Sequence, residues 1–182
     1  MPSAATTGAA VSATNPQSGA GGVHEPLELY IHDILGGSSP TARPITGLLG
    51  NIYNGQVQVG PDGLSLGFGT ITVIDDVLTS GPDLGAQPLG RAQGVYVASA
   101  ADGSAQMMAF TAMMEGGEYG DTLNFFGVYK VGSALCRLSI TGGTGKFKGA
   151  GGFAEVRPLI ASGQHVTDGA ETLLRITVHL AY

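Results

Sequence analysis

The sequence predicts an all-β protein, an eight-stranded antiparallel β-barrel, and three observations carry that prediction. Apolar and polar residues alternate with a period of two in one segment after another, which is the period of a half-buried strand rather than a helix. The breaks between segments are short Gly, Asp-Gly, Gly-Ser and Ser-Gly clusters; they leave no room for helical crossovers, so neighbouring strands pair antiparallel. The segments number about eight, the count that closes a small barrel.

The first strand sets the chemistry. Leu27, Leu29 and Ile31 point one way, and Glu28, Tyr30 and His32 the other. By that parity Asp33 falls on the apolar side. A carboxylate among Leu and Ile side chains loses solvation, so its pKa rises unless it is paired, and it becomes a candidate proton donor or acceptor. The alternative is that the strand bends or ends at Asp33 and the carboxylate caps the Gly36-Gly37 turn. A loop punctuated by Pro40 and Pro44 follows, then residues 48–59 with a turn signal at Asn54-Gly55, then the alternating stretch 64–78, which reads as one or two strands. The cluster Ser80-Gly81-Pro82-Asp83 ends it.

From residue 88 onward six extended runs are expected, over 95–100, 106–114, 122–131, 135–141, 153–160 and 172–181. Asp102-Gly103, Gly116-Gly117, Gly132-Ser133, Gly142-Gly143-Thr144-Gly145 and Ser162-Gly163 separate them. In the last run Leu174, Ile176, Val178 and Leu180 point inward and Arg175, Thr177 and His179 outward. Two other runs are apolar on both faces: Met107, Met108, Phe110, Met113 and Met114 in one, Leu123, Phe125, Phe126 and Val128 in the next. A lone barrel leaves one of those faces wet, so a second copy of the chain, a loop or the tail is expected to cover it; oligomerisation is the simplest cover.

Composition narrows the function classes. The length of 182 residues suits one domain with a tail: residues 1–22 are small and polar, too poor in large apolar groups to offset ordering entropy, and residues 23–182 form the barrel domain. A net charge of −6 with only eight Lys plus Arg argues against nucleic-acid binding. One cysteine forbids an intrachain disulfide, and the four scattered histidines offer no zinc spacing, so no metal site is expected. No apolar run reaches the roughly 18 residues of a membrane span. The start, Met-Pro-Ser-Ala-Ala-Thr-Thr-Gly, lacks the basic and apolar regions of a secretory signal, so the chain is either trimmed or not exported by that route. Asn-x-Ser/Thr is absent, which leaves no N-glycan acceptor.

Other motifs have structural readings. Gly142-Gly143-Thr144-Gly145-Lys146 fails as a phosphate loop, because position 140 is Ile and Phe147 follows the lysine; a tight hairpin is expected instead. Asp75 and Asp76 are adjacent strand residues facing opposite sides, which rules out a metal pair and suggests that one caps a turn. Cys136, expected midway along a strand, reads as a small core residue rather than a nucleophile.

Five stretches together resemble the dirigent family of plants: residues 30–36 (Tyr-Ile-His-Asp-Ile-Leu-Gly), 73–79 (Val-Ile-Asp-Asp-Val-Leu-Thr), 90–96 (Gly-Arg-Ala-Gln-Gly-Val-Tyr), 124–127 (Asn-Phe-Phe-Gly) and 142–147 (Gly-Gly-Thr-Gly-Lys-Phe). The run over 33–47 is most similar to the subgroup associated with lignin deposition in the root Casparian strip. The resemblance implies a barrel of the dirigent and allene-oxide-cyclase kind, a homotrimer, a home in the apoplast or cell wall, no cofactor and no oxidative activity of its own. A separate oxidase, a laccase or peroxidase, makes phenoxy radicals from a monolignol such as coniferyl alcohol. The barrel holds the radical or quinone methide so that coupling in lignan or lignin formation is stereoselective. Two alternatives remain open: an enzyme of the pterocarpan-synthase type acting on quinone-methide-like intermediates, or a wall scaffold for lignin deposition.

The family's first aspartate falls on Asp33, which agrees with the parity argument and makes it the candidate acid. Tyr96 matches the tyrosine of Gly-Arg-Ala-Gln-Gly-x-Tyr; its alternative is plain packing against a neighbouring strand. Phe125 and Tyr129 complete the candidate substrate-binding set. Where lignan-forming members carry a second aspartate this chain has Tyr129, where they carry an arginine it has Cys136, and Gly151 replaces the arginine of Ala-Arg-Gly; the usual cysteine pair is missing too. The expectation is an interior with one acid and neither partner acid nor cation, a pattern that favours orienting a less polar phenol over enzymatic cyclisation.

Overall fold

The computed structural model describes residues 25–45, 67–116, 120–159 and 167–182. The expected tail, the run 48–59 with its Asn54-Gly55 turn, the start of the stretch 64–78, Gly117 and the Ser162-Gly163 break lie outside the described residues. The described chain forms nine strands: β1 Leu27–Leu35, β2 Ala42–Pro44, β3 Ile71–Thr79, β4 Pro88–Ala98, β5 Ala105–Met114, β6 Thr122–Lys130, β7 Cys136–Thr144, β8 Gly151–Leu159 and β9 Ala170–Ala181. They close into a barrel through the antiparallel β1–β9 pair, which runs from Leu27↔Val178 to Leu35↔Ala170. The eight long strands are those the alternation predicts, and the three-residue β2 is an addition inside the proline-punctuated loop.

β2 marks where the barrel wall splits. β1 and β3 pair directly over Tyr30↔Thr79, Ile31↔Leu78 and His32↔Val77. Beyond that point they part, and β2 fills the gap, antiparallel to β3 over Ala42↔Ile74 to Pro44↔Thr72 and bridged in parallel to β1 at Leu35↔Ala42.

Two glycine-rich segments that lie outside the expected runs are strand. β4 starts at Pro88 rather than 95, because Gly90 and Gly94 interrupt the alternation without interrupting the ladder. A Cβ on Gly90 would sit 1.9 Å from the Met113 carbonyl oxygen, and one on Gly94 would sit 2.2 Å from that of Ala109, so these are close-approach positions. Gly142, Gly143 and Thr144 likewise do not form the tight hairpin. They continue β7 and pair with Asn124, Leu123 and Thr122, and the chain turns only at the 3-10 segment Gly145–Phe147, which buries Phe147. Lys146 serves that turn through an ion pair with Asp121 at 3.4 Å. Cys136 is buried as expected but opens β7 rather than sitting midway.

Inward residues of every long strand meet in one core. Phe110 and Phe125 stack inside it with ring centroids 5.0 Å apart, among Leu123, Leu138, Ile176 and Val178. Stacking adds to the burial of both rings. The second apolar face is also present: Phe126 and Val128 are 47% and 51% exposed on the outside of β6. Phe125→Ala is expected to cost about 3–5 kcal/mol, read as a lower denaturant midpoint.

Candidate functional site

Asp33 sits inside the barrel. β1 does not bend at Asp33; it continues to Leu35, so the parity set by Leu29 and Ile31 carries through and Asp33 is buried. The capping alternative is thereby excluded. His32 points outward as expected, yet it is buried too. Its Nε2 lies 2.7 Å from Thr79 Oγ1, and that hydroxyl donates to the Gly81 carbonyl at 2.7 Å. The threonine proton is thus used, which makes the imidazole Nε2–H the donor; burial holds this histidine below its ordinary pKa, against the opposing pull of Glu171 and Asp83.

The second acid is Asp76. The β1–β3 register that ends at His32↔Val77 would next set Asp33 opposite Asp76, and at that step the ladder opens. Both side chains are inward, because Ile74, Asp76 and Leu78 share the buried face of β3. Like charges directly opposite destabilise a strand pair. Thr41, in the loop before β2, occupies the opening. Its Oγ1 donates to Asp76 Oδ1 at 2.6 Å and accepts the Ile34 backbone N–H at 2.9 Å. Its own N–H donates to the Ile34 carbonyl at 2.9 Å, and its carbonyl accepts from Asp75 N at 2.8 Å. One threonine therefore ties the backbone beside Asp33 to the carboxyl of Asp76.

Tyr96 is the third member. It is buried on the inward face of β4 and hydrogen-bonds to Asp33. Tyr96 thus packs in the core and makes a polar contact with Asp33 as well. Opposite Tyr96 in the β3–β4 register stands Thr72, fully buried, and its hydroxyl bears on the phenol as a side-chain hydrogen-bond partner, as Asp33 does.

Burial dominates the electrostatics. It pushes Asp33 up to about 6, the Tyr96 hydrogen bond pulling the other way. Burial and then the Asp33 charge push Asp76 up to about 8, against the Thr41 hydrogen bond. Burial, followed by the Asp33 charge, raises the Tyr96 phenol far above its ordinary value. Asp75 behaves in the opposite way on the outer face, where hydrogen bonds from Arg91 Nε at 2.6 Å and Gln93 Nε2 at 2.9 Å hold it below the usual carboxylate range. The two adjacent aspartates do face opposite sides, but neither caps a turn: Asp75 is an ion-pair partner and Asp76 belongs to the interior acid pair. The expectation of a single interior acid is corrected accordingly.

The other two candidates take different places. Phe125 packs on Phe110 in the inward row that also holds Ile74 and Gly94, between the rows of Asp76 and Tyr96. Tyr129 is half-buried, one inward position beyond the Thr72–Tyr96–Met108–Gly127 row, with its phenol raised by burial and by neighbouring Cys136. Asp76, Thr41 and Thr72 escaped the sequence reading. The signal for Asp76 was present: Ile74-x-Asp76-x-Leu78 places it among apolar residues as Leu29-x-Ile31-x-Asp33 places Asp33.

A closed antiparallel barrel with a carboxyl pair and a tyrosine inside defines the class of protein, and comparison places it in a family. The family description "Dirigent-like protein" matches residues 25–181. Dirigent protein 16 and Dirigent protein 18 of Arabidopsis thaliana are 61% and 60% identical, each alignment covering 86% of this chain and 86% of the relative. Among solved structures, the pterocarpan synthase dirigent protein GePTS1 matches with a TM-score of 0.67 at 28% identity, over 84% of this chain and 80% of that one. The pterocarpan synthase dirigent protein PsPTS1 matches at 0.66 and 28%, over 86% and 96%. The chain belongs to the dirigent family.

Both interior acids bind protons more tightly folded than unfolded, so their contribution to stability is complete below pH about 4 and is lost as pH rises through about 6 and about 8. Asp76→Asn is expected to match the wild type in thermal midpoint near pH 4 and to exceed it by several degrees near pH 9.

Proposed function

We propose that the barrel interior binds the radical or quinone-methide form of a phenol, made from a monolignol such as coniferyl alcohol by a separate laccase or peroxidase, and directs its stereoselective coupling in lignan or lignin formation. The observation that carries this reading is the Asp33–Asp76 pair beside Tyr96 in a largely apolar interior. Flat phenols gain from burying aromatic area, and a few polar groups fix their orientation. Membership of the dirigent family supports the same class of chemistry.

The pair suits a quinone methide because its two carboxyls titrate apart. Near neutral pH it holds one proton, with Asp76 as the acid and Asp33 as the carboxylate. When two phenoxy radicals combine, each supplies one electron of the new carbon–carbon bond, so the protein exchanges no electrons. The Asp76 carboxyl then gives its proton to the quinone-methide oxygen as a hydroxyl adds to the methide carbon. The Asp33 carboxylate takes the proton released by that hydroxyl, and the pair ends with the one proton it began with.

A second reading is an enzyme of the pterocarpan-synthase type, and the second acid favours it: an acid and a base in one interior are what water loss and ring closure require. The same pair could serve either role, and the source of the quinone methide separates them. The exposed Phe126 and Val128 support a homotrimer in which partner chains cover the outer apolar face. The apoplast or cell wall, where lignification takes place, is the proposed location.

The test is coupling of coniferyl alcohol by a one-electron oxidase with and without the protein, with the dimers resolved by chiral chromatography. An enantiomeric excess is expected with the wild type, falling at least about tenfold in Asp33→Asn and Asp76→Asn. Racemic dimers with the wild type would overturn directed coupling. Turnover of a preformed quinone-methide precursor without any oxidase would establish the enzymatic reading in its place.

A further inference from the structure

Asp76 takes its hydrogen bond from a loop rather than from the sheet. The charged and titratable groups around it are Asp33 on β1, Tyr96 on β4, and Asp75 and Arg91 on the outer face of β3 and β4. Burial and the Asp33 charge favour the protonated carboxyl, and the Thr41 hydroxyl, donating to Oδ1 at 2.6 Å, pulls the other way. A hydroxyl donor holds a carboxylate more tightly than a neutral acid. Whether the loop seats that hydroxyl on Asp76 therefore bears on how readily the acid gives up its proton.

The loop has little packing of its own. It leaves β1 through Gly36 and Gly37, both at positive φ (73° and 77°), and residues 36–39 are exposed. At its far end Thr41 is tied by its backbone to Ile34 and Asp75. Its near end is tied to the other end of the chain: Asp168 Oδ1 accepts the Ser38 N–H at 2.8 Å and the Ser38 hydroxyl at 3.0 Å, across 130 residues. Those two donors hold Asp168 below the usual carboxylate range, so it is charged at neutral pH. Only glycine fits between the two turns: a Cβ on Gly37 would lie 2.6 Å from Asp168 Oδ1, and one on Gly169 would lie 2.7 Å from the Gly36 carbonyl oxygen. The turn that carries Asp168 is itself fixed, with the Thr167 N–H donating to Glu171 Oε1 at 2.6 Å just before β9 begins opposite Leu35. Only Ser39 and Pro40 separate Ser38 from Thr41.

We propose that Asp168 is a positioning residue for the interior acid: by holding Ser38 it seats the loop that presents the Thr41 hydroxyl to Asp76, so that a carboxylate at the barrel rim tunes proton release inside. The inference rests on the reading of Asp76 as the proton donor and adds what sets its strength. Asp168 acts through Ser38 and Thr41 and not on the ligand. Its charge works in the opposite sense to its hydrogen bonds. An anion disfavours ionisation of a nearby acid, so loss of the charge alone would let Asp76 ionise more readily, whereas loss of the latch makes it ionise less readily. The sign of the effect therefore separates the two.

Carbon-13 NMR titration of the Asp76 carboxyl reads this connection link by link. Thr41→Val is expected to raise its midpoint by about one pH unit, and Thr41→Ser to keep it in place. Asp168→Ala, at an exposed position that the fold tolerates, should raise it by a smaller amount in the same direction. Asp168→Asn keeps the acceptor for Ser38 and drops the charge, and should restore the wild-type midpoint. Asp168→Ala combined with Thr41→Val should move the midpoint no further than Thr41→Val alone, because the latch acts through the hydroxyl. An Asp76 midpoint that Asp168→Ala leaves unchanged or lowers would overturn the inference, even if the melting temperature falls, and so would a rise that Asp168→Ala still produces in the Thr41→Val background. An Asp76 that titrates near 4 in the wild type would instead remove the reading of Asp76 as the interior acid, and this inference with it.

Discussion

Two carboxyl groups brought face to face inside a barrel wall are the constraint around which the structure is arranged. Strands β1 and β3 run in register until Asp33 and Asp76 would stand opposite each other, and there the ladder stops. The opening is bridged by Thr41 and β2, which satisfy backbone groups that the missing pairing would otherwise leave unpaired. The opening and the acids are one feature. Without the bridging threonine, Asp76 would lose the hydrogen bond that offsets part of its burial.

The interior stores chemistry at the expense of stability. An apolar pair of the same size would pack with less penalty, because each buried carboxyl resists ionisation and, among the described residues, no cation is paired with it. Retaining two acids with separated proton affinities gives the interior a donor and an acceptor at one pH. The Phe110–Phe125 stack, the inward Leu and Ile residues and the closed β1–β9 seam supply the stability that this arrangement draws on.

Much of the fold is legible in the sequence because strand parity is a local property. Leu174, Ile176, Val178 and the outward Arg175 and Thr177 fall where alternation puts them, and so does Asp33. Gly90, Gly94, Gly142 and Gly143 interrupt the alternation and so hide strand: they are glycines because a neighbouring strand's backbone or side chain occupies the place of a Cβ, or because the backbone there takes a positive φ, and both follow only from the assembled barrel. Asp76 was equally local, but its neighbour Asp75 made the two look like a surface pair. Thr41 and Thr72 carry no local signal. Thr41 matters because two strands part beside it, and Thr72 because a tyrosine from the next strand lies across from it. Such relations are set by register between distant segments.

The most direct test of the acid pair is carbon-13 NMR titration of the Asp33 and Asp76 carboxyls in the folded protein, assigned with Asp33→Asn and Asp76→Asn. The structure requires both to titrate well above an ordinary aspartate, at about 6 and about 8, and requires removal of Asp33 to lower the value for Asp76. Two carboxyls that titrate near 4, each indifferent to the loss of the other, would contradict the account: the pair would then be neither buried together nor able to divide the roles of acid and base.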